Sequence, residues 1–185
     1  RAIEALRALP GVQAVSTASR LPLAPDINME QVLVRGHHAP DEDGTLTDTT
    51  SVGADYFAAV GVPIVAGRAF TDAELAAGRR IAIVNETMAR HLWSEGDPVG
   101  RRFRIGAGSP WFTVVGVVGD MRREGVEVEP LPQMFEPLAQ NPSRLEILLV
   151  RTSMDEPLRL AGAVQAAVRR VDKQTPLYGV STVDD

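Results

Sequence analysis

SVGADYFAAVGVPIVAGRAF, residues Ser51–Phe70, changes backbone state several times in quick succession, and that alternation sets the fold class. Ser51 and Val52 close a threonine-rich, β-compatible run over Thr45–Val52. Asp55–Val60 then reads as a short helix stopped by Gly61, and Pro63–Ala66 returns to strand. A short helix between two strands is the grammar of a mixed sheet packed with helices.

Working outward toward the C-terminus, Thr71-x-x-Glu74 has capping-box spacing and predicts a short helix through Ala76. Arg80–Val84 reads as a strand. Asn85 can cap the helix that follows, whose apolar face is Met88, Ala89, Leu92 and Trp93. Asp97–Gly100 is a turn and Arg102–Ile105 an alternating strand. Trp111–Val118 is apolar almost throughout, which predicts a central strand covered on both faces. Gln133–Glu136 and Leu145–Arg151 are further strands. Glu156-Pro157 opens the best-marked helix, with Leu158, Ala161, Val164, Val168 and Val171 as its stripe. Leu177–Val183 reads as a closing strand.

Toward the N-terminus, Ala2–Leu9 is a helix stopped by Pro10-Gly11, Val12–Ala18 a strand, and Leu21–Asn28 a loop. Gln31–Arg35 alternates as a half-buried strand, and Gly36–Gly44 is a polar, acidic turn region. Both ends therefore carry helix and strand around a β-rich middle. The expected fold class is α+β and two-lobed: a ferredoxin-like βαβ lobe from both chain ends, residues 1–70 with 121–185, and a smaller β-rich middle lobe, residues 71–120.

The 185 residues are 44% hydrophobic and 23% charged, enough apolar side chain for a real core. The net charge of -5 argues against a nucleic-acid partner, which would demand clustered Lys and Arg. With no cysteine, disulfides, thiolate nucleophiles and cysteine-held metals are excluded. No apolar run reaches the roughly 20 residues of a membrane helix. The chain opens on Arg1 already inside a helical pattern, so it reads as a fragment of a longer protein.

Catalytic chemistry is hard to find. His37 and His38 are adjacent in a polar loop, and His91 sits beside Arg90 on a helix; neither arrangement has metal-ligand spacing. Carboxylates cluster at Asp41-Glu42-Asp43, Asp72/Glu74 and Glu124–Glu129, where solvent is expected. An acid-pair hydrolase would need two of them about 5–9.5 Å apart across a cleft. Ser16, Ser19, Ser51, Ser94 and Ser109 lack a nucleophile elbow or a nearby base. Gly116 and Gly119 lack phosphate-loop spacing, and there is no nucleotide-binding P-loop. Catalytic, cofactor-binding and metal residues are all expected to be none. Leu21, Leu23, Ile27 and Met29, and Val126, Val128, Leu131 and Met134, sit in loops and form candidate apolar contact patches.

Seven pieces in one order carry a family resemblance: LRALPGVQAVS, the Tyr56-Phe57 helix before GVPIVAGRAFT, IAIVNETMARHLW, DPVGRRFRI, WFTVVGVVGDMRR, LLVRT, and the amphipathic helix leading into PLYGVSTVDD. Together they resemble the extracytoplasmic core domain of MacB-like ABC-transporter permeases, the group that includes FtsX and the lipoprotein-releasing permeases. The resemblance implies a porter-like lobe from the two ends and a second lobe from the middle. It implies that the parent protein sits in the bacterial cytoplasmic membrane with this domain on the periplasmic or extracellular side. The implied partners are the parent's own transmembrane helices, a cytoplasmic ABC ATPase that holds the enzymatic activity, and a second permease copy. The transported substrate or outer partner is not encoded in these motifs, and no adaptor-binding hook is apparent.

The leading expectation is a non-catalytic domain that couples ATP-driven helix motion to a substrate or partner outside the membrane. It predicts stretches of about 20 apolar residues flanking the fragment, and a fragment that is a monomer or weak dimer. The alternative is a free-standing periplasmic ligand-binding or chaperone-like module, which predicts a preformed apolar cleft. A hydrolase using paired acids is the third reading.

Overall fold

The computed structural model describes residues 2–22, 28–34, 44–94, 96–121, 129–141, 146–171 and 177–183. It is an α+β structure built on one sheet. The strands are β1 (Val12–Ala18), β2 (Met29–Val34), β3 (Thr45–Val52), β4 (Ile64–Gly67), β5 (Ile81–Asn85), β6 (Arg102–Ile105), β7 (Phe112–Val118), β8 (Gln133–Pro137) and β9 (Ile147–Thr152). The helices are α1 (Ala2–Arg7), α2 (Tyr56–Val60), α3 (Asp72–Ala77), α4 (Glu86–Leu92) and α5 (Ala161–Val171).

The strand order is β2-β6-β7-β5-β8-β3-β1-β9, with β4 beside β7 and a further pairing of β2 with β3. That last pairing closes six strands, β2, β6, β7, β5, β8 and β3, into a ring. The ring encloses Val32, Val34, Ala82, Val84, Phe103, Phe112, Val114, Val117 and Met134. Helix α4 fills the same core with Met88, Ala89, Leu92 and Trp93, the face its sequence predicts. Phe103 stacks on Phe112 at 5.6 Å, with Trp93 tilted against Phe103. Strand β7 is central, as its apolar run requires: it pairs with β4, β5 and β6. At the β4–β7 contact a Cβ on Gly116 would lie 2.3 Å from the Arg68 carbonyl oxygen. The two backbones meet there at a distance only glycine allows.

The other end of the sheet is organised differently. β1 and β9 run antiparallel with both faces covered. One face, with Ala18, Ile147 and Leu149, packs on α2 through Tyr56 and Phe57. The opposite face, with Val15, Leu148 and Val150, packs on Ile3 and Leu6 of α1 and on Val164, Ala167 and Val168 of α5.

Two local expectations are corrected. The segment opened by Pro157 begins as a 3₁₀ turn, Pro157–Leu160, and becomes α-helix only at Ala161. Three residues per turn rotates Leu158 off the core face and leaves it exposed; Val171, the last residue of the helix, is exposed as well, while Leu160, Ala167 and Val168 are buried. The closing strand expected at Leu177–Val183 is not formed. Gly179 has φ 58°, which breaks an extended run, and Tyr178, Val180 and Val183 are exposed. The remaining expected helices and strands agree with the observed ones to within two residues at each boundary, whereas the expected turn region Gly36–Gly44 and loop Leu21–Asn28 lie largely outside the described residues.

Candidate functional site

Strand β3 joins the two regions. It pairs with β2 and β8 in the ring. Its C-terminal end touches β1 through Ala18 opposite Val52, with Ser19 N–H donating to the Ser51 carbonyl and Gly53 N–H to that of Thr17. Its sequence, TLTDTTSV, is almost wholly polar, yet Thr47, Asp48, Thr49, Thr50 and Ser51 are all buried. Buried polar groups are costly unless each finds a partner, and here the partners come chiefly from three other segments: the stretch after β1, Asn28 and β8.

Asp48 is the hub. Its Oδ1 accepts from the Asn28 backbone N–H at 3.0 Å, and its Oδ2 from Gln133 Nε2 at 3.3 Å and from the Arg20 guanidinium. Arg20 also donates through Nε and Nη2 to Thr50 Oγ1 at 3.0 and 2.8 Å. Asn28 Nδ2 donates to Thr49 Oγ1 at 2.6 Å. Beside this pair the Tyr56 phenol is pushed up to about 12, first by burial and then by Asp48, against the opposing pull of Arg20. On the other face of β3, Ser51 Oγ donates to Glu136 Oε1 at 3.1 Å. Burial raises the Glu136 carboxyl above its ordinary range, although the Ser51 hydrogen bond opposes the shift.

Two further polar clusters fix α4 and α3. Asn85 Oδ1 accepts from Met88 N–H and from Gln133 N–H, both at 2.9 Å, so the predicted cap also anchors the start of β8. Asp120 takes the Thr87 N–H at 3.0 Å and the Thr87 hydroxyl at 2.8 Å, which clips the end of β7 to the start of α4. The predicted capping box is present: Glu74 N–H donates to Thr71 Oγ1 at 3.3 Å, and Thr71 N–H to Glu74 Oε2 at 3.2 Å. Arg68 grips the same carboxylate with both guanidinium nitrogens and, with Thr71, lowers it to about 2.

The expected contact patches divide. Met134 is core, Leu21 and Leu131 are exposed, and Met29 starts β2 half-buried; Leu23, Ile27, Val126 and Val128 lie outside the described residues. His91 is on the exposed side of α4, and His37 and His38 lie outside the described residues, as do Asp41, Glu42, Asp43 and Glu124. Among the described residues no group of three or more His, Asp or Glu is placed to hold a metal. Chemically, the buried network holds strands in register. Its one hydroxyl–carboxylate pair, Ser51 and Glu136, is sealed inside the sheet. Sequence reasoning missed Arg20, Asp48, Tyr56 and Glu136. The available signal was TLTDTTSV itself, a strand with no apolar face set among strands that have one.

The helices nearest the two ends of the chain form the second feature. α1 folds back on β1 through the Pro10–Gly11 turn, with Val12 N–H bonded to the Leu9 carbonyl. At the same end of the sheet β9 passes to α5, where Thr152 Oγ1 and Ser153 N–H both donate to the Gly11 carbonyl. Because β1 and β9 are antiparallel and each helix returns along its own strand, α1 and α5 lie antiparallel side by side. The Ala2 end of α1 and the Val171 end of α5 therefore lie at one end of the molecule.

The family model described as MacB-like periplasmic core domain matches residues 1–171. The chain belongs to this family. As a MacB-like periplasmic core domain it is a periplasmic or extracellular domain of an ABC-transporter permease, a kind of domain that forms a non-catalytic part of such transporters. Among the described residues no helix is long and apolar enough to cross a membrane. The fold is similar to that of the periplasmic region of MacB from Actinobacillus actinomycetemcomitans, at 14% identity and a TM-score of 0.63, covering 92% of this chain and 72% of that one. It is similar to the extracellular domain of the noncanonic ABC-type transporter YknZ from Gram-positive bacteria, at 19% identity and a TM-score of 0.60, covering 94% and 83%. A domain of a putative permease protein from Porphyromonas gingivalis gives 21% and 0.58, covering 91% and 68%. No curated protein matches the sequence.

Proposed function

We propose that this domain is a chemically inert lever that carries ATP-driven movement of membrane helices to a substrate or partner outside the cytoplasmic membrane. The parent permease would work with a cytoplasmic ABC ATPase and a second permease copy. The observation that carries this reading is the antiparallel pairing of α1 and α5, whose Ala2 and Val171 ends share one side. Attachments that leave on the side of these two helix ends would let a membrane displace the domain as a body; attachments on opposite sides would stretch it. The buried network on β3 supports the same reading, because a satisfied polar network resists shear between the parts it joins.

In this proposal the β1–β9 end with α1 and α5 is the part attached to the membrane, and the six-strand ring is the part it carries. The test is a spin label at Arg159, an exposed position, in both copies of the parent permease assembled with its ATPase. The interlabel distance should change with ATP and return after hydrolysis. A distance indifferent to nucleotide, in an assembly that hydrolyses ATP, would overturn the proposal.

A further inference from the structure

The outside of the ring carries a feature that neither the β3 network nor the helix pair uses. Arg102 pairs with Thr113 and Phe103 with Phe112 across β6 and β7. Side chains alternate across a strand, so Arg102, Arg104 and Trp111 project from the face opposite the buried Phe103–Phe112 stack. The guanidinium carbons of Arg102 and Arg104 lie 5.8 and 5.1 Å from the centroid of the same Trp111 ring.

Each guanidinium is attracted by the indole, but two like charges on one ring repel each other. Among the described residues neither Arg102 nor Arg104 forms an ion pair with a carboxylate, unlike Arg7, Arg20, Arg68, Arg90 and Arg159. Arg104 Nε is moreover buried with no hydrogen-bond acceptor among the described residues. Elsewhere this molecule answers such a need: half-buried Arg20 has both Asp48 and Thr50. A cation pair with an unanswered N–H on an aromatic floor is a site short of an anion.

We propose that Arg102, Arg104 and Trp111 form a docking point for an acidic segment of a protein partner, one carboxylate being received between the two guanidinium forks above the indole. Arginine forks match carboxylate geometry in a bidentate way, and Trp and Arg are the residues most enriched at binding hot spots. An anionic lipid surface fits less well. Lipid-binding segments gather about 4–8 cationic residues, whereas this patch has two arginines on a chain of net charge -5, which an anionic bilayer repels. The inference does not depend on attachment to a membrane, so its test and that of the lever fail separately.

The test uses the complete 185-residue chain, isotope-labelled so that NMR reads the Arg104 Nε–H signal, with hexaglutamate as the probe. The signal should shift saturably with hexaglutamate and not with hexalysine. Arg104→Ala should weaken binding by about tenfold or more. Arg104→Lys keeps the charge but loses the fork and the Nε–H; it should weaken binding nearly as much, read from the Trp111 indole signal. If both variants bind as the parent does, or if hexaglutamate leaves the signal unmoved, the proposal is wrong. It is equally wrong if phosphatidylglycerol vesicles saturate the signal and the peptide does not.

Discussion

The β1–β9 end and the six-strand ring solve the same burial problem in opposite ways. At the β1–β9 end two strands are sandwiched between helices, α2 on one face and α1 with α5 on the other. In the ring the sheet curls until β2 meets β3, and its core is its own concave face plus one helix, α4. The first construction depends on side chains of elements at the two extremes of the chain. The second depends on backbone pairing and an aromatic stack. The comparison teaches that rigidity need not be uniform: the ring is closed on itself, the helical end is a clamp, and β3 has to hold them together.

The largest expected effect lies at that joint. Asp48→Ala removes the buried carboxylate that accepts from Arg20, the Asn28 N–H and Gln133 together, and should cost about 3–5 kcal/mol in denaturant unfolding. Replacing both partners, Arg20→Met with Asp48→Leu, should recover most of that loss, because removing a buried pair together is often close to neutral. A single variant as stable as the parent would show that the network joins nothing.

Next in size is the clamp. Leu6 is fully buried between α1, β1 and α5, so Leu6→Ala should cost about 2–5 kcal/mol. Hydrogen exchange should then speed up in β1, β9 and α5 well before it does in β5 and β7. Equal loss of protection in both regions would erase the distinction drawn here.

Two carboxylates predict opposite pH behaviour. Glu74 is held down at about 2, against an ordinary 4.5, so its contribution is present above 4.5 and is lost as pH falls from 4.5 toward 2. Glu74→Gln should cost about 0.5–1 kcal/mol at neutral pH, since Arg68 is half exposed, and should flatten that acid limb. Glu136 is raised above 4.5 by burial, so the folded state binds its proton more tightly than the unfolded one and stability falls as pH rises above 4.5. Glu136→Gln should therefore stabilise the protein slightly at neutral pH and remove that part of the pH dependence. A destabilised Glu136→Gln at neutral pH would contradict the sign.

Much of the fold could be read from the sequence, and the exceptions have physical causes. Apolar periodicity located α4 and β7, and capping chemistry placed Thr71–Glu74 and Asn85, because these signals are local. Closure of the ring was not legible: β2 pairing with β3 and β6 at once depends on curvature, which no strand encodes alone. The β3 network was missed because its threonines look like those of any solvent-facing strand until Arg20, Asn28 and Gln133 are brought around them. Leu177–Val183 was misjudged because alternation suggests a strand but supplies no neighbour for it.

The most direct test of the lever is the distance between spin labels at Ala2→Cys and Val171→Cys. Packed helices lie about 8–10 Å apart, and with both ends on one side the labels should give a single narrow distance below about 25 Å. A broad distribution, or a distance comparable to the length of the molecule, would mean that α1 and α5 do not present their ends together, and the lever would be untenable.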